Sequence, residues 1–121
     1  MPKIMLAEDD LTMLHLLDTL LRIEGYQTVK LSEEENVLDA AHRERPEIIL
    51  LDVHLRDING LDILKEIRSD ATLRKTIVIM QSGMNMTAEC SNAGADVFLL
   101  KPYMPDMLID AIKDCLAHPR L

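Results

Sequence analysis

A doubly wound α/β domain, with five parallel strands in the order 2-1-3-4-5 and helices on both faces, is the fold this 121-residue sequence predicts. Three observations predict it. Short continuous apolar runs recur along the chain, as expected of strands covered on both faces. Segments of helical period separate them, giving a (βα)5 alternation that implies a parallel sheet with right-handed crossovers. Charged side chains then stand at the C-terminal ends of the apolar runs, where an open α/β sheet forms its binding crevice.

Lys3–Ala7 is the first strand. Leu14, Leu17 and Leu21 form one stripe of a first helix, with Asp10 as its N-cap and Gly25 ending it. Tyr26–Leu31 is less apolar and alternates, which places it at a sheet edge. The second helix is expected over Glu33–Arg45, presenting Val37, Leu38 and Ala41 and stopping before Pro46. Ile48–Asp52 supplies the third strand and Leu61–Ser69 the third helix, with Leu61, Leu64 and Ile67 inward. Thr76–Gln81 is the fourth strand. Met84–Ala93 makes a poor helix because Asn85, Thr87, Ser91 and Asn92 all disfavour one, so a short or partly irregular element is expected there. Ala95–Leu100 is the fifth strand. Pro105 suits the first turn of a last helix, whose Leu108, Ala111, Ile112, Cys115 and Leu116 make a continuous stripe.

The length points to one domain spanning residues 1–121. Hydrophobic residues make up 48% of the chain, yet no stretch approaches the ~20 apolar residues needed to cross a bilayer. The N-terminus runs straight into a strand and has no leader pattern, so a soluble, cytoplasmic protein is expected. Cys90 and Cys115 have no metal-ligand spacing and read as buried, reduced thiols. A net charge of −8 argues against direct nucleic-acid binding, which needs a basic stripe.

The chemistry lies at the strand ends. Glu8-Asp9-Asp10 follows the first apolar run, Asp52 ends the third, and Lys101-Pro102 closes the fifth. Strands one and three are neighbours in the expected order, so Glu8, Asp9 and Asp52 should meet between them. Clustered carboxylates raise each other's pKa unless a cation neutralises them, and Mg²⁺ is the natural hard-oxygen occupant. Lysine is a compact charge suited to a phosphoryl oxygen. Other acids read differently: Asp10 caps a helix, while Asp57, Asp62 and Asp96 are turn or helix-start residues. His15, His42 and His118 read as surface residues without a partner in helical reach. Met80, Met84, Met86, Met104 and Met107 suit either core filling or an adaptable partner-binding face.

In sum of its motifs the chain resembles the receiver domain of two-component response regulators, across essentially its whole length and in the single-domain chemotaxis and sporulation style. The resemblance rests on Glu8-Asp9, on Leu51-Asp52 with Gly60 eight residues beyond the aspartate, on Ser82-Gly83, on Gly94-Ala95-Asp96 and on Lys101-Pro102. It implies a flavodoxin-like fold and a role as a phospho-accepting signalling module of a phosphorelay, which catalyses only its own phosphorylation and dephosphorylation. Asp52 would be the phospho-acceptor, served by a histidine kinase or phosphotransfer protein. Asp9, Asp52 and the backbone carbonyl of His54 would hold Mg²⁺, with Glu8 acting through water. Lys101 and Ser82 would contact the phosphoryl group, Ser82 and Phe98 would be the switch pair, and a cis peptide is expected at Lys101–Pro102. A downstream protein partner would bind the region of helix four, strand five and helix five; no membrane is involved.

Four features depart from that pattern. His54 and Met84 occupy the two positions that in receivers commonly tune how long the phosphoryl group survives. Arg56 stands where proline is common, which predicts a less constrained loop after the third strand. The segment from Ser82 to Gly94 is about one helical turn short, which puts the usual output face in question. Alternative functions are the N-terminal piece of a longer regulator, a small aspartyl-phosphate phosphohydrolase, and a receiver that has lost phosphorylation.

Overall fold

The pleat of the sheet sorts the apolar residues into two cores. In the computed structural model, which describes residues 1–120, strands β1 (Lys3–Ala7), β2 (Gln27–Lys30), β3 (Ile48–Asp52), β6 (Ile77–Ser82) and β7 (Val97–Leu100) form a parallel sheet in the order β2-β1-β3-β6-β7. A two-stranded antiparallel ribbon, β4 (His54–Leu55) and β5 (Ile58–Asn59), stands outside it. With that ribbon set aside, the order is the expected 2-1-3-4-5. Successive strand residues point to opposite faces. Met5, Ala7, Ile49, Leu51, Val78 and Met80 therefore pack on one side, against α2 (Val37–Glu44), α3 (Gly60–Ser69) and α4 (Thr87–Asn92). Ile4, Leu6, Ile48, Leu50, Ile77 and Ile79 pack on the other, against α1 (Leu11–Ile23) and α5 (Pro105–Ala117). The expected single domain ends at Leu121, which lies outside the described residues.

Most element boundaries match the sequence expectation; two differences have identifiable causes. Helix α2 begins at Val37, with the Asn36 side chain accepting from the Asp39 N–H, rather than at Glu33. The Arg56 guanidinium donates to the carbonyls of Glu33 and Glu35, which a longer helix would have used internally. Strand β7 begins at Val97 and is an edge strand, buried only at Leu99, because the last strand of this order has one neighbour. Helix α4 has only six residues and no side-chain cap, as the polar run around it predicts, and fully buried Cys90 anchors it.

At the sheet's opposite end from the strand-end acids, the Gly94-Ala95-Asp96 motif has a structural role the sequence reading missed. Asp96 is not a plain turn acid. Its carboxylate accepts from Arg68 at 2.9 Å, Arg120 at 2.8 Å and the Val78 N–H at 2.8 Å. Arg68 also donates to the carbonyls of Gly94, Arg74 and Thr76, stapling α3 to the start of β6 and β7. A side chain at Gly94, where φ is +102°, would meet the Arg68 stem at 3.0 Å. His42 and His118 are exposed, as expected, but each has a carboxylate partner: Asp70 at 2.8 Å, and Asp114 one turn earlier at 3.6 Å.

The edge strand β2 is tied to α1 by a polar cluster. Buried Asp18 accepts from Arg22 Nε at 2.9 Å and from the Thr28 hydroxyl, with Lys30 Nζ at 3.5 Å. Burial pushes the Asp18 carboxyl up, but the bonds from Thr28 and Arg22 and the charges of Arg22 and Lys30 outweigh it and hold it below its ordinary range. A carboxyl with a lowered folded-state pKa stabilises the fold above its unfolded value near ~4 and loses that contribution as pH falls through the folded value. Asp18→Asn should therefore be destabilised at pH 7 by about 1–3 kcal/mol, as for a lost charge-assisted bond. Urea midpoints measured against pH should show the gap to wild type closing below about pH 4; a gap constant down to strong acid would mean the charge is irrelevant.

Candidate functional site

The four apolar rows on the α1/α5 side each end in a polar residue at the carboxyl edge of the sheet. Ile4 and Leu6 lead to Glu8, Ile48 and Leu50 to Asp52, Ile77 and Ile79 to Gln81, and Val97 and Leu99 to Lys101. Period-two alternation alone puts these four side chains on one face, and parallel pairing sets Asp52 directly beside Gln81. Contacts close the group. Lys101 Nζ lies 2.7 Å from Glu8 Oε1 and 2.6 Å from Asp52 Oδ2, and Gln81 Nε2 donates to Glu8 Oε1 at 3.1 Å. Glu8 and Asp52 are each 6% exposed, so the pairs form largely out of water.

Backbone groups finish the positioning. The Asp10 N–H donates to Glu8 Oε2 at 3.2 Å, while the Asp10 side chain caps α1 by accepting from the Met13 N–H. The His54 N–H donates to Asp52 Oδ1 at 3.3 Å. Gly60 packs against the end of β3 so closely that a Cβ there would lie 2.3 Å from the Asp52 carbonyl oxygen. That contact explains why the position eight residues beyond Asp52 needs glycine. Ser82 is buried at the end of β6, and its Oγ accepts from the Met84 N–H at 3.1 Å, leaving its own proton free to donate. The Lys101 N–H bonds the Ser82 carbonyl at 2.8 Å, and the Lys101–Pro102 peptide is cis, as expected.

The acids do not all converge. Asp9 is exposed and its carboxylate accepts the Arg56 N–H, so it sits on the rim while Glu8 and Asp52 meet inside. Among the described residues no three His, Cys, Asp or Glu side chains form a preassembled metal cage; the Lys101 ammonium bridges the two inner acids instead. The donor set still suits a hard divalent cation. Glu8, Asp9 and Asp52 offer carboxylate oxygens, and Lys101 neutralises only one of their three charges, since Arg56 contributes a backbone N–H and spends its guanidinium elsewhere.

Arg56 reverses one sequence expectation. Its φ of +57° and its N–H bond to Asp9 are both closed to proline. With the β4–β5 ribbon flanking it and its side chain clamped to Glu33 and Glu35, the loop is tied down rather than loosened. His54 is exposed on that ribbon and Met84 is 65% exposed across the rim, so both side chains are accessible beside the pocket. Phe98 is half-buried on β7 and packs with the α2–α4 core. The methionines divide: Met80 and Met86 pack in the core, whereas Met84, Met104 and Met107 are exposed.

Burial pushes the Asp52 carboxyl above its ordinary range; Lys101 opposes this and the Glu8 charge adds to it. Burial lowers the Lys101 ammonium, but bonds and charge from Asp52 and Glu8 outweigh it and leave the lysine firmly protonated. Two residues of the site escaped the sequence reading. Gln81 is fully buried, and Tyr103, just after the Lys101–Pro102 pair, donates its hydroxyl to Gln81 Oε1 at 2.5 Å.

The chain is similar to several known proteins. The family described as response regulator receiver domain matches residues 4–113. The polar-differentiation response regulator DivK of Brucella anthropi is 30% identical over 96% of the chain and 98% of that relative. Sporulation initiation phosphotransferase F of Bacillus subtilis is 31% identical over 94% of the chain and 93% of that protein. Among solved structures, a CheY-like response regulator receiver domain protein from Methanospirillum hungatei superposes with a TM-score of 0.86 at 26% identity, covering 97% of this chain and 94% of that one.

Proposed function

Because the chain belongs to the response regulator receiver family of two-component signalling, we propose that Asp52 is its phospho-acceptor and that Glu8, Asp9, Ser82 and Lys101 serve the transfer. The observation that carries this reading is the buried Asp52 carboxylate held 2.6 Å from the Lys101 ammonium beside buried Glu8. A carboxylate oxygen of Asp52 attacks the phosphorus of a phosphohistidine on a kinase or phosphotransfer protein. The new O–P bond replaces the P–N bond, and the histidine ring leaves to take up a proton. Lys101 balances charge on the phosphoryl oxygens, and the free Ser82 proton donates to one of them. Asp9, Asp52, the His54 carbonyl and, through water, Glu8 would hold Mg²⁺, whose charge supplies the electrostatic stabilisation that phosphoryl transfer requires.

The domain acts on its own aspartate and on no separate substrate, and it works in the cytoplasm. No helix among the described residues is long and apolar enough to cross a membrane. Its output is a protein partner received on α4, β7 and α5, where Leu100, Met104 and Met107 are roughly half-exposed or more. A short α4 leaves that face dominated by β7 and α5. Phosphorylation is read out as a population shift of the Ser82 loop and Phe98, because only one loop position lets Ser82 reach the phosphoryl group. Amide shifts recorded before and after phosphorylation should spread through residues 83–98; shifts confined to the neighbours of Asp52 would refute this route.

The lifetime of the phosphorylated state is expected to depend on His54 and Met84, which flank the approach of water. An imidazole bonded to the phosphoryl oxygens and an apolar Met84 both shield the acyl phosphate, so His54→Ala and Met84→Ala should each hydrolyse faster. Rates within about twofold of wild type in both, less than ~0.4 kcal/mol of barrier, would show that neither side chain touches the chemistry.

A further inference from the structure

A glutamine ends the otherwise apolar run Ile77–Met80 and is fully buried, so its amide must find partners inside the protein. It finds two. Its Nε2 donates to Glu8 Oε1 at 3.1 Å, and its Oε1 accepts the Tyr103 hydroxyl at 2.5 Å. Because Tyr103 has a proton to give, it fixes which end of the amide faces Glu8. Burial, followed by the charges of Glu8 and Asp52, pushes the Tyr103 phenol well above its ordinary range, so this donor persists at any physiological pH.

We propose that Gln81 and Tyr103 are a positioning pair that holds the Glu8 carboxylate in place for cation binding and phosphoryl transfer. The inference rests on the reading of this pocket as a Mg²⁺-dependent phospho-acceptor site. Glu8 Oε1 has two donors, Lys101 and Gln81. Lys101 is shared with Asp52 and gains the phosphoryl oxygens as new partners once Asp52 is modified. The Gln81 amide has no such alternative, so together with the Asp10 N–H on Oε2 it is what keeps Glu8 fixed when the lysine moves. Tyr103 lies between Lys101 and the start of α5, so the same pair ties Glu8 to the segment that leads into the output helix.

The test compares wild type, Gln81→Leu, Tyr103→Phe and the double variant as full chains. Three readouts are needed: Mg²⁺ titration, melting temperature without metal, and the metal-free amide shift of Asp10. Gln81→Leu should weaken Mg²⁺ binding about tenfold, the lower range for losing a partner of a metal ligand. Tyr103→Phe should weaken it less, and the double variant no more than Gln81→Leu alone. Gln81→Leu strands the Tyr103 hydroxyl and should lower stability, whereas removing both partners should largely restore it. Metal affinity should not recover with it, and the Asp10 shift should move in both variants that lack Gln81. Affinity that recovers with stability in the double variant, or stays within twofold of wild type in Gln81→Leu, would reduce the pair to a packing role. Wild-type protein that binds no Mg²⁺ would overturn the pocket reading itself, and an unmoved Asp10 shift would then overturn the positioning of Glu8.

Discussion

Asp52→Asn is expected to abolish phosphorylation and, in the same step, to make the metal-free protein more stable. The two effects have one cause. Asp52 is buried beside Glu8, and its pKa is raised even though Lys101 is bonded to it. A carboxyl whose folded-state pKa lies above its unfolded value destabilises the fold when ionised. The wild-type protein therefore gains stability as pH falls through the folded value and carries the full cost above it. Asparagine keeps the shape, removes the charge and leaves Lys101 to Glu8. A gain of about 0.5–2 kcal/mol at pH 7 is typical where a functional group is held under strain. Thermal melts in chelator should show the variant melting higher at pH 7, with the difference narrowing towards pH 4. A variant that melts lower at neutral pH would mean that the Lys101–Asp52 pair outweighs burial and repulsion.

Lys101→Ala is expected to give the largest loss of stability of any single change at the site. It removes the one ammonium that bridges Glu8 and Asp52, at 2.7 and 2.6 Å, and leaves two buried carboxylates facing each other. Breaking a buried pair by deleting one partner costs on the order of 3 kcal/mol or more. Mg²⁺ should return part of that loss, since the remaining acids then have only the metal to neutralise them, so the metal-induced rise in melting temperature should exceed that of wild type. Adding Asp52→Asn to Lys101→Ala should also recover stability, which makes the two changes strongly non-additive. Equal Mg²⁺-induced shifts in wild type and Lys101→Ala, together with simple additivity, would place the lysine outside the acid pair.

The sheet order and the strand ends were legible in the sequence because they follow from hydrophobic period and from charges that interrupt it. Glu8, Asp52 and Lys101 end apolar rows of one parity, and that parity brings them to one face. Gln81 obeys the same rule and was legible in principle: a polar residue ending the row Ile77, Ile79 in a buried strand needs a buried partner. An uncharged amide at a strand end looks like a boundary, so the pattern alone does not single it out. The role of Asp96 is hidden for the opposite reason, since its partners, Arg68 and Arg120, lie 28 and 24 residues away and no local pattern announces them. Arg56 shows the limit of reasoning from a missing residue. The absence of proline suggested freedom, whereas the backbone N–H and guanidinium that arginine supplies tie the loop to Asp9, Glu33 and Glu35.

Whether Asp52 is the acceptor is tested directly by intact-mass measurement after treatment with acetyl phosphate. Wild-type protein with Mg²⁺ should gain a single phosphoryl adduct that is lost on treatment with hydroxylamine, as an acyl phosphate is. Chelation of the metal, or Asp52→Asn, should leave the mass unchanged. An adduct that persists in Asp52→Asn and disappears in Ser82→Ala would contradict the assignment and move the chemistry to the serine.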